Sequence, residues 1–348
     1  MDERSFAAAQ QFLLTAKLFW THTLYGQVKR EFAATRAVHP VAAETPATVA
    51  AALADNTTYR FFAWLERHLQ GHKYSGRYGL VPYMNERREG LLGAMGAIAD
   101  PDLPKLDPNL QMPSYYKAVD FHQHPGGVWS DDVAGFVYER GARTTTPTLG
   151  AQHADLHERF TALACARQKP SRVLDLGCGF GKSTGPFAKA LPEATVVGVD
   201  LAAPCLRLAA HAVAERQLRN VRYRQADACA TAEPADSYDL VTSTMLLHEL
   251  PPKAVEGVFR EARRVLRKGG RMIHLDFYEV PDAFDRFIHF GHGTRNNEPY
   301  MEPLVKTDLR AMLERNGFTD IEIAPFDETD APNDGWRFPW TSIAARKA

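Results

Sequence analysis

Cysteine is scarce in this chain: four residues, at 165, 178, 205 and 229, with no C-x-x-C pair among them. That spacing offers neither a zinc knuckle nor a disulfide framework, so the cysteines read as buried or loop thiols, Cys178 being suited by its size to a glycine loop. Apolar runs approaching the roughly 18 residues of a membrane span are missing as well. The first residues, with Asp2, Glu3 and Arg4, lack a signal-peptide pattern, and the expected location is the cytoplasm. Charge of one sign is also missing. A net charge of -1 leaves no broad field for nucleic acid or an anionic membrane. What remains is a 348-residue chain, 45% apolar, long enough for more than one domain with sizeable cores.

Glycine is concentrated where it carries meaning. Residues 173–182 read Val-Leu-Asp-Leu-Gly-Cys-Gly-Phe-Gly-Lys, and Asp200 closes a second apolar segment 19 positions after Gly181. A strand ending in a glycine loop, then a helix, then a strand closed by an acid forms a nucleotide cradle, with the acid placed for ribose hydroxyls. Dinucleotide folds space their glycines Gly-x-Gly-x-x-Gly, whereas Gly177, Gly179 and Gly181 are spaced Gly-x-Gly-x-Gly behind Asp175. An acid there repels a pyrophosphate and suits a cationic ligand; an NAD fold with an atypical loop is the alternative.

The run from Asp175 to Gly181 resembles motif I of the class I S-adenosylmethionine-dependent methyltransferases. The resemblance implies S-adenosyl-L-methionine as cofactor and an α/β, Rossmann-like, seven-stranded sheet. Val221 to Ala228 is similar to that family's third strand, ending at Asp227, the acid that holds the adenine amino group. Tyr238 to Glu249 is similar to the fourth strand and the loop after it. Cofactor contacts are thereby implied for Asp175, Gly177, Gly179, Gly181, Asp200, Leu201, Asp227, Ala228 and Thr244. A helix over Val255 to Leu266, a turn at Lys268-Gly-Gly270 and a fifth strand from Arg271 to Tyr278 follow from periodicity and turn chemistry. A helix from Leu309 stopped at Gly317, then Ile321 to Ala324 and Trp340 to Ala345 as a hairpin, complete the order.

Upstream, Phe12, Leu13, Ala16, Phe19 and Trp20 lie at helical spacing, as do Phe61, Phe62, Leu65 and Leu69. A short helix falls between them at Pro46 to Leu53, and Gly71 to Val81 alternates like a small hairpin. This order resembles the winged-helix dimerisation domain of small-molecule O-methyltransferases of the plant caffeate and bacterial hydroxyneurosporene type. It implies a mainly helical, winged-helix-like dimerisation domain over 1–100, a connector and pocket-lining segment over 101–154, a catalytic domain over 155–348, and a homodimer. A DNA-binding regulator is a different reading. Its recognition helix, Thr57 to Gln70, offers Arg60, Arg67 and His68 but is too aromatic for a groove.

Methyl transfer from a sulfonium needs alignment above all, and a base only where a hydroxyl must lose its proton. His248 is the candidate base: Leu247-His248-Glu249-Leu250 resembles the Leu-His-Asp-Trp segment of these O-methyltransferases, and Asp276 falls where the family carries an acid that orients the histidine. Glu249 and Leu250 depart from that pattern, and the family's second acid aligns near Lys306. A noncatalytic histidine, serving transfer to sulfur, nitrogen or carbon, stays open. Candidate acceptor contacts are His122, His124, Trp129 and Tyr138 after the proline-rich 104–113 stretch, and Phe287, His289 and Arg295 beyond strand five, with Arg295 suited to an acceptor carboxylate. Packing roles for both segments are the alternative. Arg140 is placed for the cofactor's carboxylate. His122 and His124 lack a third ligand, so no metal is expected.

Overall fold

The computed structural model describes residues 1–96, 103–145, 153–167, 169–328 and 335–348. Seven strands form one sheet: β1 (Arg172–Leu176), β2 (Thr195–Asp200), β3 (Val221–Gln225), β4 (Tyr238–Thr244), β5 (Leu266–Phe277), β6 (Phe318–Pro325) and β7 (Trp340–Lys347). Their order is β3-β2-β1-β4-β5-β7-β6. The first five run parallel, and β7 lies antiparallel between β5 and β6. Helices cover both faces, which is why β1 and β4 are buried along nearly their whole length. Val173 and Val196 join the core with Phe160 and Phe187 on one face, while Leu174 and Val197 join Val258 and Phe259 on the other. This alternation is the period of two that a strand imposes.

The chain leaves β1 for neighbours on both sides, β2 and β4. Such a switch of direction opens a crevice at the carboxyl ends of β1 and β4. β5 starts at Leu266, earlier than its apolar pattern from Arg271, because Leu266 pairs with Tyr238 ahead of an irregularity in the ladder.

The N-terminal helices are α1 (Glu3–Leu18), α2 (Tyr25–Val38), α3 (Pro46–Leu53), α4 (Thr57–Ser75) and α5 (Leu80–Asn85), with a π-helical stretch, Phe19–Leu24, joining the first two. Asp2, Thr45 and Asn56 cap α1, α3 and α4 by accepting backbone N–H bonds. The hairpin expected over 71–81 is a correction: α4 runs on to Ser75 and α5 begins at Leu80. Leu69, Gln70, Lys73 and Tyr74 are buried at helical spacing, so the segment's inner face has the period of a helix. Gly79 makes the turn between them, its N–H donating to Gly76 O at 2.6 Å. No strand occurs among the described residues 1–96.

These helices close over the carboxyl edge of the sheet. Trp20, Val28, Val49, Leu53 and Phe62 share a core with Phe284 and Ile288 of the helix Ala283–Arg295, and with Trp336. Trp336 N–H donates to Thr21 O at 2.8 Å, tying the last part of the chain to the first. Glu66 of α4 accepts from His292 Nδ1 at 2.5 Å, from Asn296 Nδ2 at 3.0 Å and from Arg295 Nε. No helix among the described residues is long and apolar enough to cross a membrane.

Candidate active site

At the end of β1 the backbone turns through Gly177 and Gly181, with φ of 66° and 80°. A Cβ on Gly177 would sit 2.8 Å from Leu246 Cδ1, and one on Gly181 would collide with the Tyr223 hydroxyl. Both positive φ and close approach therefore require glycine. Asp175 is fully buried beneath this loop. Its Oδ2 accepts from the Ser183 and Thr184 hydroxyls, each at 2.7 Å, and burial pushes its carboxyl up to about 6.

Asp200, at the end of β2, accepts from Gly179 N–H and Ala202 N–H, both at 2.8 Å, and burial raises it to about 6. Asp227 accepts from Cys229 N–H at 2.8 Å. These acids, the glycine loop, Leu201, Ala228 and the Thr244–Leu246 turn enclose a cavity of about 130 Å³, roofed by Tyr116, His122 and Tyr138. Thr244 Oγ1, in that wall, is buried without a hydrogen-bond partner.

A second cavity, of about 120 Å³, adjoins the first and shares His122, Tyr138, Ala142, Met245 and Glu249 with it. His248 stands in its wall. Met245, with φ of 58°, reverses the chain after β4 and starts the short 3-10 turn Leu247–Glu249. Asp276 fixes the result: Oδ2 accepts from Leu247 N–H at 2.6 Å, and Oδ1 is 2.6 Å from His248 Nδ1. Burial opposes ionisation of Asp276, but the His248 imidazole and two backbone N–H groups outweigh it and hold its pKa below the ordinary value. Burial alone would lower His248; Asp276, Glu249 and Glu298 together raise it.

The opposite nitrogen, His248 Nε2, faces Glu298 Oε2 at 3.9 Å. Glu298 Oε1 is 3.1 Å from His122 Nδ1, and His122 Nε2 is 2.9 Å from Glu249 Oε1. Burial disfavours the charge on His122, yet the two carboxylates raise it to about 10. Against the same burial, His122, His292 and His248 bring Glu298 down to about 2. His122 and Gln123 both have positive φ, 57° and 58°. Two successive non-glycine residues in that region mark a strained connection held by its surroundings.

The family described as "Methyltransferase domain" matches residues 173–270, the span from β1 into β5. A demethylmenaquinone methyltransferase of Geobacillus sp. (strain WCH70) is 32% identical over 178 residues, 46% of this chain and 75% of that protein. The chain belongs to the S-adenosylmethionine-dependent methyltransferases. An uncharacterised methyltransferase of Bacillus subtilis (strain 168) is 30% identical over 155 residues, 43% of this chain and 59% of that protein. Nocamycin O-methyltransferase of Saccharothrix syringae is 40% identical over 104 residues, 29% of this chain and 35% of that protein. The chain spans about half the length of the first curated relatives it matches, 59%, 52% and 57% of three of them. A crystal structure from Nostoc punctiforme PCC 73102 superposes over 98% of this chain and 95% of its own with a TM-score of 0.51 at 17% identity, so the likeness of fold extends through the N-terminal helices.

The methyltransferase's first cavity fits S-adenosylmethionine. Asp200 and Asp227 carry carboxylates at the ends of β2 and β3, Thr244 Oγ1 has a vacant hydrogen-bonding position, and Tyr116, Tyr138 and Phe180 bring aromatic rings to the cavity that a sulfonium would share. Of the residues expected around it, Gly177, Gly179, Asp200, Leu201, Asp227, Ala228 and Thr244 line the cavity; Asp175 and Gly181 lie behind it and shape the loop. Arg140 is exposed on the helix Ala134–Thr145.

Among the expected acceptor contacts, His122 and Tyr138 line both cavities. The other five line neither cavity. His124 is buried against the Tyr74 ring, 5.1 Å between centroids, and burial lowers it to about 4. Trp129 packs near Val128 and Cys205, and Phe287 against Tyr59. His289 lies behind Phe277, facing an open cleft beside Arg286 and Lys306, and burial lowers it to about 3. Arg295 meets Glu66 and so is already paired with a carboxylate of its own chain. The same side of the cavity is instead built by Lys17, Trp20, Thr21, Gln70 and Tyr74 from the N-terminal helices and by Trp336, Phe338 and Trp340. Among the described residues, no group of His, Cys, Asp and Glu is arranged to hold a metal ion.

Proposed function

We propose that this chain methylates a hydroxyl oxygen of a small aromatic acceptor, with His248 as general base and Asp276 as its partner. The observation that carries the reading is the 2.6 Å His248–Asp276 pair, whose other imidazole nitrogen faces a cavity continuous with the cofactor crevice. Asp276 accepts the Nδ1 proton, which leaves Nε2 with its lone pair toward the acceptor. S-Adenosylmethionine, when bound, supplies a methyl group already activated on sulfonium. Tyr138 and Met245, common to both cavities, then hold the acceptor oxygen against it. Trp20, Tyr74, Trp336, Phe338 and Trp340 give the second cavity aromatic walls, which suit a flat ring.

The test is transfer of labelled methyl from S-adenosylmethionine to a panel of single-ring phenols. His248→Ala is expected to lower turnover by roughly 10²–10⁴-fold while calorimetric cofactor binding is retained. Undiminished turnover in that variant would remove the base from the mechanism. Transfer to another atom is the second reading, favoured by relatives named arsenite methyltransferase and demethylmenaquinone methyltransferase; there His248 would orient the acceptor.

The reading includes the division at about residues 100 and 154 set out from the sequence, action in the cytoplasm, and a homodimer. Phe61 and Trp64, 44% and 53% exposed on α4 and stacked 6.0 Å apart, are the face offered for pairing. Sedimentation that shows a monomer at micromolar concentration would remove the dimer.

A further inference from the structure

His122 stands where the two cavities meet and lines both of them. Its positive φ, followed by that of Gln123, is a conformation that a non-glycine side chain adopts only when its surroundings impose it. Three hydrogen bonds do so here: Gln70 Nε2 donates to His122 O at 2.9 Å, Gln123 Nε2 to Arg295 O at 2.8 Å, and Asn297 Nδ2 to Asp120 O at 3.2 Å. The 120–123 turn is thereby pinned to α4 and to the segment that carries Glu298, and the imidazole is aimed at one place.

Two carboxylates meet the ring there. His122 Nε2 is 2.9 Å from Glu249 Oε1, and Nδ1 is 3.1 Å from Glu298 Oε1. Ionised carboxylates only accept, so both ring nitrogens donate and the ring is held as an imidazolium. Glu298 has other histidines within range: its Oε2 is 3.9 Å from His248 Nε2 and its Oε1 is 3.8 Å from His292 Nε2, both past hydrogen-bond reach. Glu298 is buried, so without His122 its charge would have to be met by another donor nearby. A movement of about 1 Å by Oε2 would bring it into a hydrogen bond with protonated His248 Nε2. That bond would take the nitrogen that the acceptor uses.

We propose that His122 is a positioning residue: by engaging Glu298 Oε1 it keeps Oε2 from closing on His248 Nε2, and so leaves that nitrogen open to the acceptor. The inference rests on reading the second cavity as the acceptor site with His248 as its base. Glu249, which lines both cavities, holds the far nitrogen of His122 from the cofactor side. The remaining charged and titratable groups come from several elements. Asp276 of β5, Glu249 of the Leu247–Glu249 turn and His289 of the helix Ala283–Arg295 face His248; His124 faces His122; His292, Lys73 and Tyr74 face Glu298.

The experiment reads His248 directly, by imidazole nitrogen NMR of the full chain with S-adenosylhomocysteine, its resonance assigned by its loss in His248→Ala. His122→Gly removes the side chain and suits the positive φ; His122→Ala is the second variant. In both, the titration of His248 is expected to move up by at least about one pH unit, as when a carboxylate comes into contact. In a Glu298→Gln background the same replacements are expected to leave His248 where Glu298→Gln alone puts it, because the carboxylate that would close is gone. Thermal unfolding and calorimetric cofactor binding establish that each variant is folded. No upward shift, the result if Glu298 takes up a proton instead, would overturn the proposal. So would a shift of equal size in the Glu298→Gln background, which would make His122 act on His248 by its own charge or through Glu249. An upward shift in the spectra with no matching movement of the kcat/KM profile would support the positioning and count against His248 as the base.

Discussion

Glu298 Oε2 lies 3.9 Å from His248 Nε2, on the side of the imidazole away from Asp276. The histidine therefore stands between two carboxylates, and the second comes from the turn that follows the helix Ala283–Arg295, eight positions before Lys306. On the proposed hydroxyl reading, an acceptor delivered to Nε2 would arrive beside a negative charge that stabilises the imidazolium as it forms.

This arrangement sets a pH dependence. The imidazole must be neutral to accept a proton, and its pKa lies above the ordinary 6.5. The kcat/KM profile is expected to rise through a value above 6.5. Glu298→Gln removes charge that favours the imidazolium, so the rising limb should move to lower pH; initial rates across the profile measure it, and a limb that stays in place would show that Glu298 does not act on His248.

Asp276→Asn keeps the shape but loses the charge and allows the wrong imidazole tautomer. Turnover should fall by roughly 10²–10⁴-fold, with the cofactor dissociation constant, read by calorimetry, little changed. A variant that binds cofactor normally and turns over at the parent rate would contradict the pairing.

The His122–Glu298 pair makes stability depend on pH from both sides. Glu298 falls from 4.5 to about 2 on folding, so its contribution is present above 4.5 and is lost as pH drops toward 2. His122 rises from 6.5 to about 10, so its contribution is present below 6.5 and is lost as pH climbs toward 10. Urea unfolding of the parent and of Glu298→Gln should therefore differ most at about pH 4.5–6.5, by roughly 3 kcal/mol, and converge on either side. A difference that does not vary with pH would show that the two groups do not titrate as a pair.

Glu66 joins α4 to the helix Ala283–Arg295. Glu66→Ala leaves Arg295 buried and uncompensated and should cost about 3–5 kcal/mol in denaturant unfolding. Adding Arg295→Met should restore part of that loss; no recovery would mean that the pair is not the source of the penalty.

The cofactor half of the site was legible because its chemistry is local. Gly177 needs a positive φ, Asp200 follows the loop at a fixed spacing, and the strand-to-helix turn lies within one stretch of chain. The acceptor half was not, because its walls are assembled from α1, α4 and the 336–340 segment by tertiary packing. The available signal was a broken pattern: Lys17 in the stripe Phe6–Leu13, and Glu66 between Phe62 and Leu69, are charged residues at positions where helical spacing calls for apolar ones. The Gly71–Val81 alternation misled for the opposite reason, since three glycines and two tyrosines imitate a hairpin while the buried residues keep helical spacing. Arg295 was recognised as a carboxylate binder, but sequence does not reveal that Glu66, 229 positions away, already occupies it.

The single N–H of Trp336 that reaches Thr21 O closes a loop of more than 300 residues. Bringing such distant points together carries an entropic cost that only contacts formed after the meeting can offset. The parallel strands with their glycine loop can assemble from neighbouring segments, but the second cavity exists only once both ends of the chain have met. Enclosure of the reacting group is thus a late and cooperative property of this protein, and a chain shortened at its N-terminal end should keep its nucleotide cradle while leaving the methyl donor open to water.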